Sequence, residues 1–163
     1  MAALIVFNGF LMKAGVWGTI FFMVIIAIVI PYEVIGRYVF EKMNIWTGEV
    51  STYSMVWASM LGAAVGLKKG YQVSMTSVTE SIPPALAKLF QGVAYLFTLI
   101  FFGTMLYQGL LQTVNNAHQT SPAMGLVMSI PYAGMPAGFL IMFFFTLEEF
   151  LKFLGLGAKG GER

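Results

Sequence analysis

The sequence predicts an all-α membrane protein: four transmembrane helices behind an N-terminal interfacial segment, with both termini cytoplasmic. Three observations carry that reading. Hydrophobic residues fill 58% of the 163 positions and charged residues only 10%, at a mean hydropathy of +0.81. A soluble domain carries about 25% charge and uses it to cover a water-facing surface. Four apolar stretches are each long enough to cross a hydrocarbon core that takes roughly 20 helical residues. None shows the alternation of a barrel strand, so their backbones must be satisfied within helices.

Taken in order, residues 1–13 are apolar but interrupted by Asn8 and Lys13. They read as an interfacial lead-in helix or as the ragged start of the first span, and the sequence leaves both open. The apolar run after Lys13 is too long for a secretory signal core, and no small-residue cleavage site follows it. The first span covers about 14–35. A charged turn follows, with Glu33, Arg37, Glu41, Lys42, Trp46 and Glu49, and it holds five of the sixteen ionisable Asp, Glu, Lys and Arg residues. If the helix continues past Pro31, Glu33, Arg37 and Glu41 stack at four-residue spacing as an acid–base–acid ladder, worth about 0.2–0.5 kcal/mol per exposed pair. Glu49 opens the second helix, where a carboxylate favours the positive end of the dipole. The turn reads as a neutralised hairpin, a partner-binding surface, or a substrate or ion site.

The second span, about 50–67, carries Ser54, Ala58, Gly62 and Gly66 at strict four-residue spacing, with Ser51, Ser59 and Ala63 nearby. Small residues in this register let helix backbones approach closely in lipid, so this face is expected to pack on another helix. A loop over 68–84 begins with Lys68 and Lys69. The third span follows Pro83-Pro84 and runs about 85–113. Thr104, Gln108, Gln112 and Asn116 form a polar stripe at its outer end, suited to the headgroup zone or to a partner subunit. The fourth span, about 132–151, ends with Glu148 and Lys152 four residues apart, both placed to snorkel as anchors. Trp17, Trp46, Tyr32, Tyr71 and Tyr132 fall near span ends, as interfacial aromatics do. Trp57 lies deeper and reads as packing.

With four spans both termini share one side. Seven of the nine Lys and Arg residues (Lys13, Lys68, Lys69, Lys88, Lys152, Lys159, Arg163) fall on that side, and two (Arg37, Lys42) on the other. The excess makes the termini and the 68–84 loop cytoplasmic, and turns 33–49 and 114–131 outward. The whole chain is one membrane domain whose first partner is the lipid bilayer.

Much chemistry is excluded. There is no Cys, and hence no disulfide, thiolate metal site or iron–sulfur cluster. A single His, His118, rules out bis-His haem ligation. No Ser–His or paired-Asp constellation lies within a span, and no phosphate-binding loop occurs. A net charge of +2, with basic residues at segment ends, gives no nucleic-acid footprint. No span carries a midpoint Asp, Glu, Lys or Arg, and Pro31 and Pro136 lie near outer ends, so the marks of a transport pathway are missing. The chain reads as a helper, neither an enzyme nor a cofactor carrier; the alternative is a self-sufficient small homo-oligomeric transporter or channel.

Several segments together bear a resemblance. Gly36-Arg37-Tyr38-Val39-Phe40, Trp46-Thr47-Gly48-Glu49, Trp57, Leu61-Gly62-Ala63-Ala64, Gln119-Thr120-Ser121-Pro122-Ala123-Met124-Gly125, Ile130-Pro131-Tyr132 and Pro136-Ala137-Gly138 occur in the order and spacing seen in the small membrane (Q, DctQ-like) subunit of tripartite ATP-independent periplasmic (TRAP) transporters. The chain departs from that pattern at Gly48, where a second acidic residue is common, and at Tyr71-Gln72-Val73, where a His is common. The resemblance implies an inner-membrane importer of organic acids, usually Na⁺-coupled at the large subunit. A large membrane subunit moves the solute, a periplasmic solute-binding protein delivers it, and the small subunit widens the scaffold and helps form the docking surface. The charged turn, the small-residue stripe and those segments together supply the subunit-interface or structural candidates Glu33, Arg37, Trp46, Glu49, Ser54, Trp57, Ala58, Gly62, Gly66, Ser121, Pro122 and Pro136, with Lys68, Lys69 and Lys152 as cytoplasmic anchors.

Overall fold

Long apolar runs leave no partner for backbone amides except the helix itself, and the chain obeys this almost throughout. The computed structural model describes residues 2–41, 44–79 and 84–155. It contains α1 (Ala2–Tyr38), α2 (Ile45–Thr79), α3 (Pro84–Asn115), a 3₁₀ turn (Asn116–His118), α4 (Ser129–Tyr132) and α5 (Gly134–Phe153). Four stretches are long and apolar enough to cross a membrane, the fourth combining α4 and α5. Helix hydroxyls are satisfied locally. Thr19, Ser51, Thr52, Thr113 and Thr146 each donate to the carbonyl four residues earlier, at 2.8–2.9 Å, so none demands water in an apolar setting.

The helices pack in the order α1–α2–α5–α3, and among the described residues α1 and α3 do not touch. Helix α5 is the most enclosed, with 44% of its apolar window buried, against 6% for α1 and 11% for α3. The two outer helices therefore turn broad apolar faces outward, including Phe10, Phe21 and Ile28 on α1 and Phe90, Phe97 and Phe101 on α3. The core gathers Leu61 and Ala64 of α2, Phe102 of α3, and Ile141, Met142 and Phe145 of α5.

Two expectations change here, and one open reading is decided. Residues 2–13 are the first turns of α1, with no break from the span. Asn8 is the reason: it is fully buried against α5 instead of facing an interface. Helix α2 does not stop near residue 67, since residues 68–79 of the expected loop are helical; residues 80–83 lie outside the described residues. The stripe of small residues is only half used. Ser54 and Ala58 are buried and Gly62 faces Thr19, but a Cβ added at Gly66 would meet nothing within 4 Å. The expected polar stripe runs along α3 and into the 3₁₀ turn, bonded only locally. Thr104 donates to the Phe101 carbonyl and Asn116 to Gln112, while Gln108 and Gln112 are exposed.

Close approach in this fold depends on glycines elsewhere. A Cβ on Gly18 would stand 2.7 Å from Leu61 Cδ1, and one on Gly109 would stand 3.1 Å from the Pro136 ring. Pro136 itself sits in the first turn of α5, where a missing N–H costs nothing.

Candidate functional site

One end of the bundle is built from two segments distant in sequence. The first is the α1–α2 hairpin. Helix α1 runs through Pro31 to Tyr38, and the chain reverses at Glu41, which adopts φ 52°, a left-handed conformation uncommon for a residue with a side chain. Asn44 then donates to the Tyr32 hydroxyl at 3.4 Å, the Thr47 hydroxyl donates to the Asn44 carbonyl at 2.7 Å, and the Tyr32 and Trp46 rings lie 6.1 Å apart. Tyr32, Ile35, Gly36, Phe40 and Asn44 enclose a cleft of about 310 Å³.

This geometry corrects the expected ladder. Because α1 ends at Tyr38, Glu41 is carried off the helix and out of register. Among the described residues Arg37 forms no ion pair with Glu33 or Glu41; Lys42 lies outside them. Arg37 is exposed in the last turn of α1, where a cation complements the negative end of the helix dipole.

The second segment is the 119–128 loop, a small closed hairpin. Thr120 pairs with Val127 as an antiparallel bridge, Ser121 N–H donates to the Leu126 carbonyl at 2.8 Å, and Met128 N–H donates to the Gln119 carbonyl at 2.9 Å. Gly125 supplies the φ of 65° that closes the turn, a conformation glycine adopts without steric penalty. The buried Ser121 hydroxyl accepts from Leu126 N–H at 3.2 Å. Pro122, Met124 and Val127 face outward.

Glu49 joins the two segments. Instead of serving its own helix terminus, its carboxylate accepts from the backbone N–H groups of Ala123 at 2.9 Å and Met124 at 3.2 Å. Both oxygens are used, so the loop is held in one orientation on α2. Replacing Glu49 with Ala is expected to free this loop. The Ala123 and Met124 amides should then exchange hydrogen markedly faster while the α5 core amides keep their protection. Unchanged exchange at those two amides would show that the loop holds itself.

Trp57 fixes the same assembly from below. Its indole N–H donates to the Ile130 carbonyl at 3.1 Å, and its ring stacks on Phe22 of α1 at 5.5 Å. Gly134 of α5 lies so close that an added Cβ would stand 3.3 Å from the indole. The expected packing role of Trp57 is thus specific: one side chain touches α1, the α4 carbonyl and the start of α5.

The opposite end holds a buried charge network. Glu148 has 3% side-chain exposure and accepts from Lys68 Nζ at 2.5 Å and Asn8 Nδ2 at 2.5 Å, while Lys152 Nζ lies 2.7 Å from its other oxygen. Lys152 also pairs with Glu149 at 2.9 Å, and Lys68 sits 4.7 Å from the Phe145 ring centre. The i,i+4 pairing of Glu148 with Lys152 is as expected, but Glu148 does not snorkel outward: α1 and α2 bring Asn8 and Lys68 onto it. Lys69 stays exposed. Asn8 and Gly134 were invisible as site residues from charge or motif alone, although the Gly134–Gly138 spacing of four is itself a close-packing signal. Among the described residues no group of His, Asp and Glu could hold a metal ion.

Comparison with known proteins follows this architecture. Residues 26–155 match the family model described as the DctQ component of tripartite ATP-independent periplasmic transporters. The chain is 27% identical over 126 residues to the isethionate TRAP transporter permease protein DctMQ of Oleidesulfovibrio alaskensis, a match that covers 72% of this chain and 19% of that protein. It is 26% identical over 118 residues to a protein of Haemophilus influenzae named as a putative TRAP transporter small permease protein, covering 72% of this chain and 73% of the relative. It is 24% identical over 111 residues to the ectoine TRAP transporter small permease protein TeaB of Halomonas elongata, covering 67% and 58%. The match thus spans less than a fifth of the first relative and under two thirds of the third. The matched region takes in the α1–α2 hairpin, the Glu49 clasp, Trp57 and the Glu148 end of α5, and the chain belongs to the DctQ family of TRAP transporter components, as a multi-pass protein of the inner membrane.

Proposed function

We propose that this chain is the non-translocating scaffold subunit of a TRAP importer. It binds the large membrane subunit, and its outer end helps form the docking surface for a periplasmic solute-binding protein. The observation that carries this reading is the distribution of charge and surface. Every described charged side chain lies toward one end of the bundle or the other, while α1 and α3 offer wide apolar faces. A path for a polar solute needs polar groups near the midplane; a scaffold needs faces. The DctMQ relative supports association with a larger subunit, because the counterpart of this chain occupies only 19% of that permease. Solute movement, coupling to Na⁺ and the choice of an organic acid belong in this reading to the large subunit and the binding protein, and this chain holds no cofactor. The seven-to-two excess of Lys and Arg supports cytoplasmic termini and an outward hairpin.

Co-expression with its large membrane subunit should yield a stable complex in mild detergent, and the chain alone should give no solute flux in liposomes. Arg37→Ala should lower complex yield or transport rate while leaving solute preference unchanged. A changed preference would place Arg37 in the solute path, and flux from the chain alone would establish the small-transporter reading instead.

A further inference from the structure

The end of the bundle that gathers Lys68, Lys88 and Lys152 also holds an apolar cleft. It lies between the first turns of α3 and the last turns of α5 and measures about 360 Å³. Leu89, Gly92, Val93 and Leu96 line one wall at helical spacing, and Phe153 lines the other. These α3 residues span seven steps of helix, or about 10 Å. Gly92 makes the wall close: an added Cβ there would stand 3.3 Å from the Phe153 ring. Lys88 lies one turn before Gly92, at the end of the cleft nearest the helix terminus, and is exposed.

Charge separates Lys88 from its neighbours. Lys68 and Lys152 are neutralised by Glu148 and Glu149. Among the described residues Lys88 has no ion-pair partner. A cation that lacks a counter-ion among the described residues, placed over an apolar slot between two membrane-spanning helices, complements a molecule with an anion at the end of a hydrocarbon chain. We propose that this cleft binds an anionic phospholipid, one acyl chain lying along Leu89–Leu96 and the headgroup phosphate meeting the Lys88 ammonium. The apolar walls suit a lipid over a free anion, and the single lysine favours an anionic headgroup over a zwitterionic one.

Native mass spectrometry of the full chain released from nanodiscs tests this, with phosphatidylglycerol and phosphatidylethanolamine supplied in equal amounts. One phosphatidylglycerol should be retained preferentially. Lys88→Gln should reduce that preference about fivefold, the effect of one lysine near a membrane surface. Val93→Phe should fill the slot and lower retention of both lipids, with the helix signal in circular dichroism unchanged. Equal retention of the two lipids by the unaltered chain would overturn the proposal, as would an unchanged preference in Lys88→Gln. So would quantitative cross-linking of a Lys88→Cys chain to another polypeptide in native membranes, because a protein would then fill the cleft.

Discussion

Glu148→Ala should be the most damaging single change at the lysine-rich end. Its carboxylate is the common acceptor for Lys68, Lys152 and Asn8, so one substitution strips partners from three helices at once. Lys152 can still pair with Glu149. Lys68 cannot, and its side chain is only 25% exposed. Asn8 already has one buried oxygen without a partner and would keep only the Phe144 carbonyl, 3.1 Å from its Nδ2. Breaking a buried pair while leaving the other charge in place costs about 3–5 kcal/mol, which for a chain of this size lowers Tm by roughly 10 °C. Thermal unfolding in detergent, followed by circular dichroism, measures it. The sharper check is the double variant Glu148→Leu with Lys68→Met. Removing both charges is often nearly neutral, so the double variant should be more stable than Glu148→Ala. A double variant as unstable as the single would mean that apolar packing, not the unpaired Lys68, sets the cost.

How far the sequence disclosed this architecture depends on the range of each interaction. The four crossings were legible because apolarity over twenty residues is a local property. The end of α2 was not, because Lys68-Lys69-Gly70 and the polar residues beyond resemble a loop, although nothing in them forbids a helix. The Glu33–Arg37–Glu41 ladder follows from spacing, yet it requires a helix that ends at Tyr38 to continue one more turn. Glu148 with Lys152 was readable because the pair is local. Asn8 with Glu148 was not, since 140 residues separate them, and neither was the Glu49 clasp, which spans 74 residues to Ala123. Polar groups in apolar segments announce that a partner exists, but only the packing order α1–α2–α5–α3 says which one. Motif order, by contrast, pointed to the family because it records the outcome of that packing without explaining it.

Gly138→Leu should separate α2 from α5 where their backbones pack closely. An added Cβ at Gly138 would stand 2.8 Å from the Met60 Cβ, 3.1 Å from the Met60 carbonyl oxygen and 3.2 Å from its carbonyl carbon. Two of these three atoms are backbone, so no rotamer change of Met60 relieves the clash and the helices themselves must move. Overpacking of a tight core costs typically about 1–3 kcal/mol, occasionally more, and in lipid the loss is compounded because close backbone approach is what drives helices together. The shift would reach Gly134, one turn away, which holds α5 against Trp57. The Trp57 indole would then lose its fixed distance to the Ile130 carbonyl. Tryptophan emission should therefore change together with Tm. Gly62→Leu, on the stripe that sequence spacing singled out, should cost less, because a Cβ at Gly62 meets only the Thr19 side chain, at 3.5 Å. If Gly62→Leu proves the more destabilising of the two, the α1–α2 contact rather than the α2–α5 contact governs the bundle.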